Sequence, residues 1–239
     1  MNNLDEFKEK ADTIEVQLNN EQLESFSKFM GFMIKWNDRV RLTSITEETE
    51  VIDKHFIDSL TALKANVIKD NDKILDLGTG GGFPGIPLKF INPTIDLTML
   101  DSRLKKIEYL KEVIDAFALE NTIAIHGRAE DYGQLPNYRE QFDIVVSRAV
   151  ANLTVLSEYC LPFVKKEGYF IAMKGTKSDE ELNEAKKAIK ILGGSIQEVL
   201  EFKLPDTDYD RSIILIKKVN STPKKYPRNP GKPKKSPIR

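Results

Sequence analysis

Hydrophobic positions divide the chain into a helical first part and an alternating remainder. Before residue 70, apolar side chains recur at helical spacing, and three helices are predicted near residues 4–18, 23–34 and 50–65. After residue 72, short apolar runs of strand length alternate with amphipathic stretches. The predicted strands are residues 73–77, 95–100, 122–126, 142–146 and 169–173. This alternation predicts a parallel sheet with helices on both faces.

The intervening stretches carry the helical pattern. Helices are predicted over residues 84–91, 104–117 and 153–163, with a short one near Ala129. A further helix is predicted to open at Ser178, because Ser178 and Glu181 have the spacing of a capping box.

The last two strands are predicted to pair differently from the others. Residues 195–204 and 211–217 are joined by six residues, which leaves no room for a helix. A parallel pair needs a crossover of about a dozen residues or more, so we expect an antiparallel hairpin. The predicted fold class is therefore α/β, with a seven-stranded, mostly parallel sheet that ends in this hairpin.

Three regions follow from these patterns. Residues 1–70 form a predicted helical extension, residues 71–218 the α/β domain, and residues 219–239 a basic, proline-rich tail. The tail has too few apolar residues to build a core, so we expect it to be extended or disordered when alone.

A glycine-rich turn follows the first predicted strand, at residues 76–85 with the sequence Asp-Leu-Gly-Thr-Gly-Gly-Gly-Phe-Pro-Gly. Glycines allow a sharp turn and a close approach of the backbone to a ligand. The helix that begins after the turn is expected to direct its free N–H groups at that ligand. A nucleotide-like ligand is therefore predicted at the end of this strand, rather than a turn of purely structural purpose.

Two ligand classes fit this turn. Residues 80–85 match G-x-G-x-x-G, and Asp101 lies where an acid binds ribose hydroxyls, as in dinucleotide-binding dehydrogenases.

The same features fit S-adenosylmethionine, and three details favour it. Asp76 would repel a pyrophosphate but suits an ammonium and a sulfonium group. The acids in 127–131 would accept from an adenine amino group, and the terminal hairpin is typical of methyltransferases. We therefore favour a methyltransferase over a dehydrogenase.

The absence of two sequence motifs reduces the number of possible methyl acceptors. Methylation of pyrimidine carbon 5 needs a cysteine nucleophile, and the single cysteine, Cys160, lies in an apolar helix where we expect a structural role. The Asn/Asp-Pro-Pro-aromatic turn usual for exocyclic amines does not follow the fourth strand. An in-plane ring nitrogen such as guanine N7 needs only positioning. We therefore expect no general base. Arg148 is expected to position the reactants, and the alternative is that it only pairs with a surface acid. His55 and His126 are interpreted as structural.

Charge is distributed unevenly. The formal net charge is −1, yet residues 217–239 hold nine basic residues and no acid, against 27 basic and 37 acidic residues before them. Such a tail suits phosphate contact, with a solvated, solubilising tail as the alternative. The predicted RNA contacts are Lys224, Lys225, Arg228, Lys232, Lys234 and Lys235. A chain lacking residues 219–239 is expected to bind RNA more weakly and with a flatter salt dependence, while it still binds free cofactor.

Composition excludes several other classes. No apolar stretch has the roughly 18 residues needed to span a bilayer, and the start does not resemble a signal peptide. One cysteine suits a reducing cytoplasm, and two histidines with one cysteine make a structural zinc site improbable, so no metal is predicted. A monomer is favoured, although the sequence does not encode the oligomeric state.

The motifs together resemble the RsmG family, also called glucose-inhibited division protein B. The resemblance covers the chain from about residue 36 to its end, and it rests on residues 42–43, 55–60, 76–88, 100–106, 127–131, 147–149 and 226–237. The Phe-Pro-Gly-Ile-Pro extension of the glycine turn and the basic proline-rich tail are its most specific elements.

This resemblance implies a class I methyltransferase fold. It also implies methyl transfer from S-adenosylmethionine to N7 of the guanine at position 527 of 16S rRNA, in free RNA or in the small subunit. With the residue-based candidates, the predicted cofactor-binding set is Asp76, Gly78, Gly80, Phe83, Asp101, Ser102, Ala129, Glu130 and Arg148. Two alternatives stay open: a methyltransferase of small molecules, and a nonenzymatic regulator that binds the cofactor and RNA.

Overall fold

One seven-stranded sheet organises the computed structural model, which describes residues 1, 3–148, 151–176 and 179–238. The spatial strand order is β3-β2-β1-β4-β5-β7-β6. The strands are β1 (Lys73–Leu77), β2 (Asp96–Asp101), β3 (Thr122–His126), β4 (Phe142–Arg148), β5 (Val164–Lys174), β6 (Gly194–Lys203) and β7 (Asp210–Lys218).

Strand directions confirm the predicted fold class. Strands β1 to β5 pair in parallel, and β7 pairs antiparallel with both β5 and β6. Strand β5 begins five residues before the predicted start. Val164 pairs with Phe142 ahead of a register shift, and the regular ladder starts at Tyr169 opposite Ile144. The irregularity hides the first part of β5 from a pattern search, because alternation breaks there.

Helices cover both faces of the sheet. They are α5 (Gly85–Ile91), α6 (Leu104–Ala116), α7 (Ala129–Tyr132), α8 (Leu153–Cys160), α9 (Asp179–Ile191) and α10 (Lys232–Lys235). Helices α5 and α6 contribute to one buried cluster, and α8 and α9 to the cluster on the opposite face. Ser178 lies outside the described residues. The Glu181 carboxylate accepts from the Leu153 N–H and pairs with Lys174.

The N-terminal segment packs directly on the sheet domain. Its helices are α1 (Leu4–Thr13), α2 (Asn20–Val40), α3 (Glu48–Val51) and α4 (Asp58–Leu60), with a π-helical turn over Ile52–Ile57 and a 3₁₀ turn over Thr61–Ala65. The Phe29 ring contacts Phe56 within the segment and Phe90 and Phe117 outside it. These helices share one buried core with the sheet. They therefore border any binding site on that side of the sheet. The division at residue 70 stays a prediction.

The C-terminal tail is ordered against the body, and the expectation that it is extended or disordered when alone stays a prediction. We call residues 219–238 the C-terminal strap. The Arg139 guanidinium donates to the carbonyls of Thr222, Pro223 and Tyr226. Arg228 pairs with Glu158, and Tyr226 and Ile238 are buried. Polar groups of the body bind the strap backbone, which compensates for its small number of apolar residues.

None of the helices within the described ranges is long and apolar enough to cross a membrane. The same ranges contain no group of three or more His, Cys, Asp or Glu side chains placed to hold a metal ion.

Candidate functional site

A cavity of about 620 Å³ opens at the carboxyl ends of β1, β2 and β4. The strand order reverses here, since β2 and β3 lie on one side of β1 and β4 on the other. Open α/β sheets bind ligands at such a switch point. Its volume falls within the range of about 300–1,000 Å³ that is usual for small-molecule sites. Topology and volume therefore agree on a small-molecule site.

The glycine turn forms the floor of this cavity. Gly78 and Gly80 have φ values of 75° and 62°, which non-glycine residues rarely adopt. The Gly80 N–H donates to Asp101 Oδ2 at 3.0 Å, and the Arg103 N–H donates to Oδ1 at 2.8 Å. Asp101 thus fixes the turn against the end of β2. Its carboxylate keeps free lone pairs for further donors such as ribose hydroxyls.

Asp76 lies beneath the turn instead of in the cavity wall. Its Oδ2 accepts from Thr79 Oγ1 at 2.7 Å and from the Gly85 N–H at 2.8 Å. Oδ1 is buried and has no hydrogen-bond partner in the part of the chain that the structure describes. Burial raises the pKa of this carboxyl to about 6. The expectation that Asp76 faces a cofactor ammonium is therefore replaced by a role in holding the turn.

This placement also corrects the expected use of α5. Its first N–H group, that of Gly85, is capped by Asp76, and the Ile86 N–H donates to the Gly82 carbonyl. Pyrophosphate binding relies on free N–H groups at that helix start. Here a carboxylate occupies the position, so the geometry argues against a dinucleotide and favours a ligand without phosphate.

The far end of the cavity holds groups suited to adenine. Ala129 and Glu130, at the start of α7, line the wall together with Tyr159 of α8. Glu130 is buried, and its Oε1 accepts from the Gly231 N–H of the strap at 2.9 Å. A carboxylate has about four acceptor sites, so capacity remains for an exocyclic amino group. The residues present fit an adenosine-bearing methyl donor.

Arg148 lies at the opposite end, where β4 ends. Its Nη1 donates to Asp58 Oδ2 at 2.7 Å and to the Lys54 carbonyl at 2.8 Å. The guanidinium carbon lies 5.3 Å from the centroid of the Phe83 ring. Asp58 is itself buried and also accepts from Arg211 Nε at 2.7 Å. Arg148 therefore pairs with a buried acid that fixes its position in the cavity wall, and not with a surface acid.

His55 belongs to the cavity, although its sequence position indicated no functional role. Its ring stacks on Phe83 at 4.6 Å between centroids and 19° between planes. Burial and the Arg148 charge lower the pKa of His55 to about 4, so the ring is neutral at neutral pH. Nδ1 lies 3.1 Å from the Lys54 carbonyl and 3.4 Å from Arg148 Nη2, and Nε2 lies 2.9 Å from Thr43 Oγ1. We assign the proton to Nδ1, because the shorter of its two contacts is to a carbonyl, which only accepts. A neutral, oriented ring supports Phe83 without adding a second cation beside Arg148.

His126 lies outside this cavity wall. Its Nε2 is 3.2 Å from the Ser102 carbonyl, a hydrogen bond that ties the ends of β2 and β3 together. This contact agrees with the structural interpretation.

The environment of Cys160 argues against a role as a catalytic nucleophile. The side chain is fully buried within the cluster under α8, and burial raises the pKa of its thiol well above the usual value. A thiol without thiolate character or access is a poor nucleophile. We expect Cys160→Ala to retain methyl transfer at a rate within a factor of about 3, at a cost of about 1–2 kcal/mol in unfolding free energy. Loss of activity in a folded Cys160→Ala protein would contradict this and point to covalent catalysis.

Every predicted cofactor residue except Asp76 lines the cavity, which brings together Gly78, Gly80, Phe83, Asp101, Ser102, Ala129, Glu130 and Arg148. Their roles toward a cofactor stay predictions. Sequence reasoning missed further wall residues: the charged ones are Arg103, Lys106, Arg128 and Lys234, and the other polar ones are Thr43, His55, Thr79 and Tyr159. All of these except Tyr159 carried a signal, since they lie in segments of the family resemblance.

Sheet order, antiparallel terminal hairpin and capped glycine turn together define a class I S-adenosylmethionine-dependent methyltransferase. Solved structures agree on the fold. A chain of the Haloferax volcanii complex between the Trm112 methyltransferase activator and a methyltransferase superposes with a TM-score of 0.60 at 15% identity, covering 79% of this chain and 98% of that one. TrmN from Thermus thermophilus gives 0.53 at 14% identity, with 70% of this chain and 53% of that one covered.

The family follows from sequence comparison. The family model GidB, described as rRNA small subunit methyltransferase G, matches residues 22–213. A protein of Lachnoclostridium phytofermentans named ribosomal RNA small subunit methyltransferase G is 52% identical, covering 93% of this chain and 92% of its own length. A protein of the same name from Clostridium novyi is 46% identical, with 95% and 94% covered. The chain belongs to the GidB family.

Proposed function

We propose that this protein transfers a methyl group from S-adenosylmethionine to N7 of one guanine in 16S rRNA, in the cytoplasm, with the RNA free or assembled in the small subunit. The match of the GidB model to residues 22–213 carries this proposal. The cavity supports it independently, because its floor leaves no free helix start for a pyrophosphate and its walls fit adenosine at one end.

The cavity residues have different proposed roles at its two ends. Glu130 and Asp101 hold the adenosine end, through acceptor oxygens for the amino group and the ribose hydroxyls. Arg148 orients the reacting end, because Asp58 and the Lys54 carbonyl fix its guanidinium. When bound, S-adenosylmethionine supplies a methyl group on a positively charged sulfur. Guanine N7 has a free lone pair and no proton to remove, so the protein's task is to align the two reactants.

The exposed lysines of the strap are the proposed RNA contact. Lys224, Lys225, Lys232, Lys234 and Lys235 are solvent-exposed on one continuous segment. Arg228 is excluded from the predicted set, because its guanidinium donates to both oxygens of the fully buried Glu158. Lys218, counted with the basic C-terminal residues in the sequence, is buried and pairs with Glu140. The strap thus combines a bound inner side with a cationic outer side.

The salt dependence of RNA binding tests this contact. Each phosphate contact contributes about 0.7–0.9 to the slope of log affinity against log salt. We expect the Lys224→Gln/Lys225→Gln/Lys232→Gln protein to bind 16S rRNA more weakly, with a slope lower by about 2. The matched control replaces Lys165, Lys166 and Lys217, which cluster at the start of β5, at the other end of the sheet. Equal slopes for the test variant and the wild type would remove the strap from the RNA interface.

Methyl transfer itself is tested on RNA that lacks the modification. The protein is incubated with radiolabelled S-adenosylmethionine and ribosomal RNA from cells without this gene, both free and as small subunits, and reductive cleavage at 7-methylguanine maps the product. We expect one stoichiometric cleavage in 16S rRNA. Cofactor binding without transfer to either RNA form would refute the proposal and favour a metabolite methyltransferase or a nonenzymatic regulator.

A further inference from the structure

The end of the C-terminal strap contributes to the wall of the cavity. Lys234 of α10 lines it, beside Tyr159 and Glu130. Three residues earlier, the Gly231 N–H donates to Glu130 Oε1 at 2.9 Å. The strap therefore contacts the adenosine end twice, once directly and once through the acidic residue expected to bind the amino group. In this geometry the tail is part of the cavity wall, and a chain that lacks it is therefore expected to bind the cofactor more weakly.

Strong contacts hold the strap in this position. Arg228 Nη2 lies 2.6 Å from Oε2 of Glu158, and Arg139 donates to three strap carbonyls. Glu158 is fully buried on α8, one residue before Tyr159 of the cavity wall. A buried carboxylate without its partner is costly, so the ion pair opposes release of the strap. These anchors precede Gly231, and beyond it the buried side chains of Pro233 and Ile238 hold the strap end.

The Lys234 ammonium is available to a ligand. Across residues 1, 3–148, 151–176 and 179–238 it has neither a hydrogen bond nor an ion pair, and the side chain is exposed at the cavity rim. An ammonium donates only, and a carboxylate such as that of Glu130 accepts only. Adenine presents an amino donor next to ring-nitrogen acceptors. A donor and an acceptor on adjacent walls therefore complement this one base edge.

We infer that Lys234 is a cofactor-binding residue, and that docking of the strap end and binding of the methyl donor stabilise each other. The inference rests on the proposed function, since the ligand is the methyl donor. Coupling between two binding events is reciprocal. The donor therefore orders residues 231–236 while those residues tighten the donor site. Because the same segment carries Lys232 and Lys235, the loaded protein presents its RNA-binding lysines in a fixed arrangement.

The test measures affinity for S-adenosylhomocysteine by calorimetry, without RNA. We expect Lys234→Ala to weaken binding about tenfold, the loss of one charge-assisted hydrogen bond. The matched control is Lys235→Ala, which removes the same charge one residue further along but lines no part of the cavity. It should change the affinity less than twofold. A chain ending at residue 229 keeps Arg228 and all the Arg139 contacts, and it should lose at least as much affinity as Lys234→Ala.

Hydrogen exchange provides the reciprocal measurement. Exchange of the amides in residues 231–236 should slow about tenfold when S-adenosylhomocysteine saturates the wild type, and not in Lys234→Ala. Wild-type affinity in both Lys234→Ala and the shortened chain would overturn the inference while leaving the proposed function intact. Unchanged exchange in residues 231–236 of the saturated wild type would overturn the coupling. If the wild type binds no S-adenosylhomocysteine, the proposed function fails as well.

Discussion

Replacing Gly80 by Asp is expected to abolish binding of S-adenosylmethionine. Gly80 has a φ of 62°, and a Cβ added there would lie 3.4 Å from Lys106 Nζ at the cavity wall. An Asp side chain extends beyond that point, places a second carboxylate beside Asp101 and fills space that the ligand needs. The Gly80 N–H bond to Asp101 Oδ2 makes this the position where the backbone itself forms the floor. Calorimetry should detect no binding.

Two control variants separate this effect from misfolding. Gly80→Ala carries the same backbone strain, of the order of 1–3 kcal/mol, with a much smaller side chain, so it should retain weakened binding. Gly31→Asp adds the same charge on α2, where an added Cβ meets nothing within 4 Å, and should bind normally. Wild-type affinity in a folded Gly80→Asp protein would show that the cofactor lies elsewhere.

Most of the fold was predictable because it follows from local pattern. Strands β1 and β3 begin and end at the predicted residues, since both are short, mostly apolar segments bounded by turn residues. The hairpin of β6 and β7 followed from loop length alone. Strand β5 was predicted too short, because three consecutive charged residues and a glycine follow Val164, next to a register shift. Its true start depends on pairing with Phe142, which no local window contains.

The candidate site was predictable where it follows the strand ends. Gly78, Asp101 and Arg148 come directly after or at the end of a strand, and Ala129 follows β3 by three residues, so topology alone brings them together. His55 and Lys234 come from segments about 180 residues apart, and only the packed fold brings both to one cavity. Asp76 shows the opposite case. Its position before the turn indicated a ligand contact, but hydrogen bonds to Thr79 and Gly85 direct its carboxylate under the turn.

The strap shows why composition alone predicts tails poorly. Few apolar residues and many cations are typical of disorder, and that typical case assumes no specific partner on the body. Here Arg139 and Glu158 provide such partners, and both lie outside the tail. Their pairing with residues more than 60 positions away has no local signature. A basic tail therefore combines a solvated, cationic side with a fixed position above the candidate site.

Replacing Arg148 by Lys is expected to slow methyl transfer about 100-fold at saturating cofactor. Nη1 of the guanidinium donates to Asp58 and to the Lys54 carbonyl at once, while the planar group lies over the Phe83 ring. An ammonium keeps the charge beside the buried Asp58 carboxylate, so the fold should persist, but it cannot reproduce this planar geometry. A displacement of about 1 Å at a positioning group costs on the order of 100-fold in rate. Single-turnover transfer to small subunits measures the effect directly.

The comparison variant is Arg39→Lys, because Arg39 lies 5.7 Å from the Trp36 ring and lines no part of the cavity. It makes the same change of side chain over an aromatic ring, away from the candidate site, and should transfer methyl groups at the wild-type rate. Thermal unfolding of both variants should stay close to that of the wild type, which separates positioning from stability. If Arg148→Lys were as fast as Arg39→Lys, the guanidinium geometry would have no part in alignment. Catalysis would then depend on the cofactor and the bound RNA alone.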